Sequence, residues 1–418
     1  NLAGTSAAGQ ALAGNSANNS ITGAGGNDVI EGGTGADAMA GGLGDDLYYV
    51  DDAGDVVTEA AGAGTDEVRT TLASYTLGAT LENLAGTSAA GQTLTGNSAN
   101  NSITGAAGND TINGGAGADS MTGGQGNDIY TVDNVGDTVT EGAGEGTDEV
   151  RTNLASYTLG ANVEKLTGTL TSGQALTGNA LANIVIGSTG NDAINGAAGA
   201  DTMTGGQGND SYTVDDIGDN VVEANGQGTD TIFSSVTYGL GGRYVEQLTL
   251  TGSANIDATG NAFNNGLTGN DGNNLLNGGG GADTMAGGLG NDIYLVDDAG
   301  DVVTEAAGQG PDVENLTGTL NNGQTLTGNA LGNVLTGGAG ADTLSGGLGN
   351  DIYYVNNTGD TVVEATGQGA DIIYSTVNYT LVGRYVETLV LTGANNISAT
   401  GNALANILVG NDGNNMLT

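Results

Sequence analysis

Large apolar residues return along this chain at every ninth position. In one stretch they are Leu94, Ile103, Ile112, Met121, Tyr130 and Val139, and the same series opens the chain as Leu12, Ile21, Ile30, Met39, Tyr48 and Val57. It recurs as Leu176, Val185, Ile194, Met203, Tyr212 and Val221, and again, one member shorter, as Leu326, Leu335, Leu344, Tyr353 and Val362. A helical repeat of 3.6 does not generate a strict nine, and the intervening glycines would each cost a helix about 1 kcal/mol relative to alanine. The spacing predicts an all-β parallel solenoid: each nonapeptide is a glycine-rich turn and a short strand whose single large residue points inward.

A longer period encloses the short one. NLAGTSAAGQALAGNSANNSITGAGG from Asn1 returns as NLAGTSAAGQTLTGNSANNSITGAAG from Asn83. The units run 1–82, 83–164 and 165–246, then 247–314 and 315–387 in shortened form, and 388–418 truncated. The fifth has lost one nonapeptide without disturbing the nine-residue phase. Outside the nonapeptides, Val68–Leu77, Leu248–Thr251 and Leu389–Thr392 alternate as ordinary strands do and are rich in β-branched and aromatic residues. One continuous solenoid of nonapeptide coils with interspersed longer-stranded segments is expected, with no separate domain.

Charge changes this picture. The 418 residues carry 48 Asp and Glu against 5 Lys and Arg, for a formal net charge of −43, with 81 Gly and neither His nor Cys. Without His or Cys the chain cannot build a Ser-His-Asp triad, a thiol nucleophile, a zinc site of the usual type or a haem site. The charge disfavours nucleic acid and anionic lipid, and points to cations as partners. So little apolar content with so much charge would ordinarily mean disorder. Disordered chains are rich in Pro and Lys, and this one has a single Pro and a single Lys, so the charge marks a ligand that the bare sequence does not include. No apolar run reaches the roughly 18 residues that span a bilayer, and no signal-peptide pattern or secretion signal is identifiable.

The nonapeptides read GGxGxDxUx, where U is the large apolar residue, as in Gly114-Gly115-Ala116-Gly117-Ala118-Asp119-Ser120-Met121. The sixth-position acid occurs thirteen times: Asp28, Asp37, Asp46, Asp110, Asp119, Asp128, Asp192, Asp201, Asp210, Asp283, Asp292, Asp342 and Asp351. Calcium takes six to eight hard oxygens, more than one short loop can offer as carboxylates without repulsion, so turn carbonyls must contribute. Glycines at positions 1, 2 and 4 permit the positive φ values that aim those carbonyls inward. Asp55, with Asp137, Asp219, Asp301 and Asp360, keeps the D-x-U phase in the acidic block that follows each run, and Asp66 restores it after a two-residue slip. GNDGNNLLN and GNDGNNMLT put Asn274 and Asn415 where Asp is expected, and the GNSANNSI loops put Asn19 and Asn101 there. Those loops should bind weakly or be stacked by amide hydrogen bonds alone.

The tandem motif resembles the RTX (repeats-in-toxin) family of calcium-binding proteins, over nearly the whole chain. The resemblance implies a calcium-stabilised β-roll in which two nonapeptides make one coil and the loops of successive coils sandwich an ion, so that Asp28 faces Asp46 and Asp37 faces Asp55. It also implies export in unfolded form by type I secretion. Folding would then be coupled to calcium outside the cell, where modules of this kind work at about 10⁻⁴–10⁻³ M. One ion for each of the thirteen motif acids would bring the net charge to about −17.

Other recurring residues have simpler readings. Tyr48, Tyr130, Tyr212, Tyr294 and Tyr353 are expected to stack in the core. Arg69, Arg151, Arg243 and Arg384 are expected to pair at the surface with Glu67, Glu149, Glu246 and Glu387. Asp51, Asp52 and Glu59 stand open between ligand and solvated surface. Close acids also suit a glycosidase pair, but here every pair is repeated, which metal coordination explains. The expected function is non-enzymatic: a secreted, extracellular calcium-binding structural or adhesive protein of a cell surface, as adhesin, sheath or filament building block, with self-association or surface attachment. The alternatives are a calcium-triggered folding module of a secreted enzyme or toxin, or an S-layer protein.

Overall fold

The computed structural model describes residues 1–304 and 314–418; the end of the fourth unit, 305–313, lies outside the described residues. Every described element is a β-strand. The chain forms two compact units, Asn1–Asp210 with Gly218–Val221, and Ser211–Ile217 with Val222–Thr418.

In the first unit successive strands fall alternately onto two faces of parallel strands, nearly every strand pairing with the next but one; the ladder is interrupted after Val56–Val57 and after Thr138–Val139. Within the nonapeptide runs the partners are two nonapeptides apart, as Ala11 with Val29 and Val29 with Leu47. Many nonapeptide strands are three residues long with only the middle one buried, as in Ser20–Thr22 and Val29–Glu31. The buried residues stack in register. One column runs Leu12, Ile30, Tyr48, Val68, Leu84, Ile103 and Met121. Another begins at the half-buried Tyr75 and runs through Leu94, Ile112, Tyr130, Val150, Leu166, Val185 and Met203. The interior is thus narrow, supplied by one large side chain per strand, and apolar burial per residue is low.

The segments with ordinary strand alternation are part of the same coil. Glu67–Thr70 and Asn83–Gly86 are four residues long and extend the sheet begun by the nonapeptides. Their coils differ in length. The coil from Leu47 to its partner Glu67 is longer than a nonapeptide pair by two, and the next, from Glu67 to Asn83, is shorter by two, so the slip is taken up and returned.

Each of the first two sequence repeats contributes nine strands, Leu2–Ala3 to Ser74–Thr76 and Asn83–Gly86 to Ser156–Thr158. Two strands make a turn, so one full repeat makes four and a half turns. Equivalent residues of consecutive repeats therefore lie on opposite faces: Tyr48 pairs with Val68 in one sheet, Tyr130 with Val150 in the other.

The second compact unit is built on the same plan. Its longest column among the described residues is Tyr238, Ala258, Leu276, Tyr294, Leu316, Leu335, Tyr353, Ile373, Leu389 and Leu408. The fifth repeat, short of one nonapeptide, spans eight strands, Glu314–Gly318 to Tyr379–Thr380. The loss keeps the nine-residue phase but removes half a turn, and the next repeat's first strand, Thr388–Leu391, returns to the face that holds Glu314–Gly318.

Candidate metal centres

The turns stack along the two edges of each coil, and there the acidic residues are gathered. All the sixth-position acids, and the following-block acids that keep or restore its phase, are buried except Asp55 and Asp301, which are half-buried; Asp52 and Glu59 are half-buried and Asp51 is exposed. Each acid in phase spends one carboxylate oxygen on the backbone amide of the equivalent position one coil earlier. On one edge Gln10, Asp28 and Asp46 donate their amides to Asp28, Asp46 and Asp66 Oδ1 at 2.6, 2.7 and 2.9 Å. On the other, Asn19 and Asp37 donate to Asp37 and Asp55 at 2.6 and 3.0 Å. The expected pairs, Asp28 with Asp46 and Asp37 with Asp55, are thus adjacent rungs of two ladders. The same ladders run through Asp110, Asp128 and Asp148, and through Asp119 and Asp137. In the second compact unit they link Asp283 to Asp301, Asp342 to Asp360 and Asp351 to Asp371. Asp292, which accepts the Asn274 amide, is placed alike, as are Asp192, Asp201, Asp210 and Asp219 in the first unit.

What becomes of the second oxygen depends on position 2 of the nonapeptide. Three Ala or Ser residues there donate their amides to the same loop's carboxylate: Ala24 to Asp28 at 3.4 Å, Ala106 to Asp110 at 3.3 Å, Ser188 to Asp192 at 2.8 Å, whereas Ala197, in the left-handed region, donates to Asn195 Oδ1 at 2.8 Å. Where position 2 is glycine in the left-handed region, the peptide is turned and the bond to the carboxylate is not made. Gly33 (φ 81°), Gly42 (107°), Gly115 (85°), Gly124 (93°), Gly279 (80°) and Gly347 (101°) precede Asp37, Asp46, Asp119, Asp128, Asp283 and Asp351. In all six the buried Oδ2 has no hydrogen-bond partner. A buried ionised carboxylate with an unpartnered oxygen is costly unless a positive charge or a proton meets it.

In the loops with Ala24, Ala106 or Ser188 at position 2, carbonyl oxygens face the carboxylate. A Cβ on Gly23 would strike both Asp28 Oδ2 and the Gly41 carbonyl oxygen of the next coil, and Gly105 stands likewise between Asp110 and Gly123. Carboxylate and carbonyl oxygens thus converge where only glycine leaves room. This all-oxygen donor set suits a hard divalent cation such as calcium.

The asparagine loops supply an internal comparison. Asn101 accepts the Asn97 amide at 2.7 Å and donates its side-chain amide to Leu81 O and Glu82 O at 3.1 and 3.2 Å. Asn274 accepts from Asn270 at 2.8 Å and donates to Ile256 O at 2.6 Å; Asn415 accepts from Asn411 and donates to Ile397 O. An amide satisfies at both ends a place where a carboxylate leaves one end bare.

In the third repeat, position 2 is Ala197, at φ 64°. A left-handed L-residue costs about 1–2 kcal/mol that glycine avoids. Ala197→Gly should therefore stabilise the calcium-loaded chain by about 1 kcal/mol, read as a shift in its urea midpoint at unchanged slope.

Several acids outside the sequence-derived set are buried at the same edges. Glu141, Glu223 and Glu364, with Asp148, Asp230 and Asp371, are all less than a tenth exposed. Asp148, Asp230 and Asp371 are the copies of Asp66, and the glutamates are the copies of Glu59. A signal was present, since each glutamate follows a core tyrosine at one constant spacing. Those tyrosines are fully buried, as expected of core residues, and Tyr48, Tyr130 and Tyr353 also donate their hydroxyls to Glu59, Glu141 and Glu364. Burial, reinforced by Asp148, pushes Glu141 up to about 8, and burial pushes Glu364 up to about 7 and Asp128, Asp283 and Asp351 up to about 6. Asp297 joins Asp283 and Asp301, one oxygen of each lying within 4.8 Å of the others.

The arginines divide into two kinds. Arg69 pairs with Glu67 at 2.7 Å and Arg151 with Glu149 at 3.0 Å, where Lys165 also approaches at 3.3 Å. Arg243 and Arg384 instead lie 5.1 and 5.0 Å over the rings of Tyr238 and Tyr379 and donate to the carbonyls of Gly239 and Thr380. Glu246 and Glu387, expected to pair with them, accept the amides of Asp230 and Asp371.

A family model described as the RTX calcium-binding nonapeptide repeat matches residues 13–48, 95–130, 177–212, 259–294, 327–362 and 400–418. No curated protein matches the chain.

Proposed function

As an RTX repeat protein, built on nonapeptides of a calcium-binding family, this chain is, we propose, an extracellular structural or adhesive module that folds on binding calcium after secretion. The observation that carries the reading is the set of six buried aspartates whose second oxygen lacks a partner beneath a left-handed glycine. Asp37, Asp46, Asp119 and Asp283 would hold loop ions together with turn carbonyls, Asp128 and Asp351 would each turn their bare oxygen to an ion held with the following coil, and Asp55, Asp137, Asp301 and Asp360 would close the loops that follow. Calcium supplies the positive charge that offsets the buried carboxylates. The narrow apolar column supports the same reading, because it gives too little burial to order so glycine-rich a chain unaided.

The near-identity of the first two repeats favours a spacer or building block of a surface filament, sheath or adhesin. We read the segment as non-catalytic, its acids being committed to stacked ladders rather than to a cleft.

The test is a calcium titration followed by circular dichroism, with Asp119→Asn beside the parent chain. Asn101 is the natural precedent for that substitution. The variant should bind about one calcium fewer and still reach the same β-sheet signal in saturating calcium. An unchanged ion count would remove Asp119 from the ligand set, and a chain equally folded in strong chelator at neutral pH would end the folding-switch reading.

A further inference from the structure

Among the described residues, three buried carboxylate triads lie partly outside the matched nonapeptide segments, and each recruits a glutamate from the longer coil; beside Asp210, Glu223 and Asp230 there are two others. The first is Asp128, Glu141 and Asp148, and the second is Asp351, Glu364 and Asp371; in each, one oxygen of every member lies within 4.8 Å of the other two. All six residues are more than nine-tenths buried.

In the first triad each carboxylate uses one oxygen for the fold. Asp128 Oδ1 accepts the Asp110 amide at 2.6 Å, and Asp148 Oδ1 the Asp128 amide at 2.8 Å. Glu141 Oε1 accepts the Gly123 amide at 3.3 Å and the Tyr130 hydroxyl. The other oxygens, Asp128 Oδ2, Glu141 Oε2 and Asp148 Oδ2, are buried without a hydrogen-bond partner. In the second triad Asp351 Oδ2 and Glu364 Oε2 are left in the same way, with the Tyr353 hydroxyl on Glu364 Oε1.

We propose that these two triads are calcium sites of a second kind, each formed by the last nonapeptide aspartate, the glutamate and the aspartate of the following coil, with the core tyrosine positioning the glutamate. Three carboxylates converging from three chain segments, fixed by backbone amides on one side and bare on the other, match a small hard cation's demand for anionic oxygen. The sites pin the longer coil to the nonapeptide run, which the loop ions alone do not reach.

The proposal extends the nonapeptide reading and is tested separately from it. Calcium bound per full-length chain is measured by equilibrium dialysis for the parent and for Glu141→Gln/Glu364→Gln, in which each glutamine keeps the shape of a protonated glutamate and can still accept the tyrosine hydroxyl. The expected result is two fewer ions in the double variant; an undiminished count overturns the inference, whatever becomes of Asp119→Asn. A second readout needs no loss of charge. The chain has no Trp, so terbium bound at these sites should be sensitised by the adjoining tyrosines, and Tyr130→Phe/Tyr353→Phe should lower that emission. Emission equal to the parent's overturns the inference even if the glutamine variant does not fold.

Discussion

In calcium-free buffer at pH 8 the chain should lose most of its β-sheet circular dichroism, and acidification to about pH 5 should restore part of it with no metal added. The carboxylates stacked along each coil edge are buried against one another, and burial lifts Asp128, Asp283 and Asp351 to about 6, Glu364 to about 7 and Glu141 to about 8. Unfolded, such groups titrate near 4. A folded-state value above the unfolded one means that folding takes up protons. The stabilisation is complete below about pH 4 and is lost as the pH rises through 6 to 8. A proton thus does in part at low pH what calcium does at neutral pH, and calcium binding should release protons. A metal-free chain equally folded from pH 5 to pH 8, or less folded at 5, would contradict this account.

The second large effect concerns two glycines of one loop. Gly146→Ala should cost roughly 3 kcal/mol in saturating calcium, and Gly144→Ala about 1 kcal/mol, measured as urea unfolding free energies. A Cβ on Gly146 would fall on the carbonyl oxygen of Gly126 in the preceding coil. That coil is held close, since the Gly126 amide donates to Glu145 O at 2.7 Å and the Thr147 amide to Asn127 Oδ1 at 2.8 Å. The methyl group has nowhere to go unless the coils part. Gly144 has φ 76° but open space around its Cβ position, so alanine there meets only the left-handed penalty. Equal costs would mean that coil spacing yields easily and conformation alone governs these glycines.

Much of this was legible in the sequence because a parallel coil converts sequence period into spatial stacking. The nine-residue series places Leu94, Ile112 and Tyr130 in one column in space, and the two-residue slip before Asp66 is the longer coil between Leu47 and Glu67. The stretch from Val68 was harder to place, because its alternation is that of a strand in any sheet, and only pairing shows that it prolongs the nonapeptide sheet. Glu59 and its copy Glu141 stood open for another reason: the spacing from Asp128 to Glu141 to Asp148 recurs in other repeats, but it departs from the nine-residue phase, and only the coils of unequal length show that it brings the three together. The ring contacts of Arg243 and Arg384 depend on turn geometry that residue type does not encode.

The four and a half turns of the full repeat govern what a partner would meet. Arg69 and Arg151, the same residue in successive copies, belong to strands on opposite faces of the first compact unit. A molecule gripping the outer surface of one copy would find the reverse side of the next, and a docking motif duplicated with the repeat recurs on a given side only at every second copy. Loss of a single nonapeptide, as in the fifth repeat, acts as a toggle: the strand that begins the following copy is returned to the side of its predecessor, and the buried columns continue through the change. Short deletions in such a gene can therefore rearrange the display on the outside while leaving the inside in register.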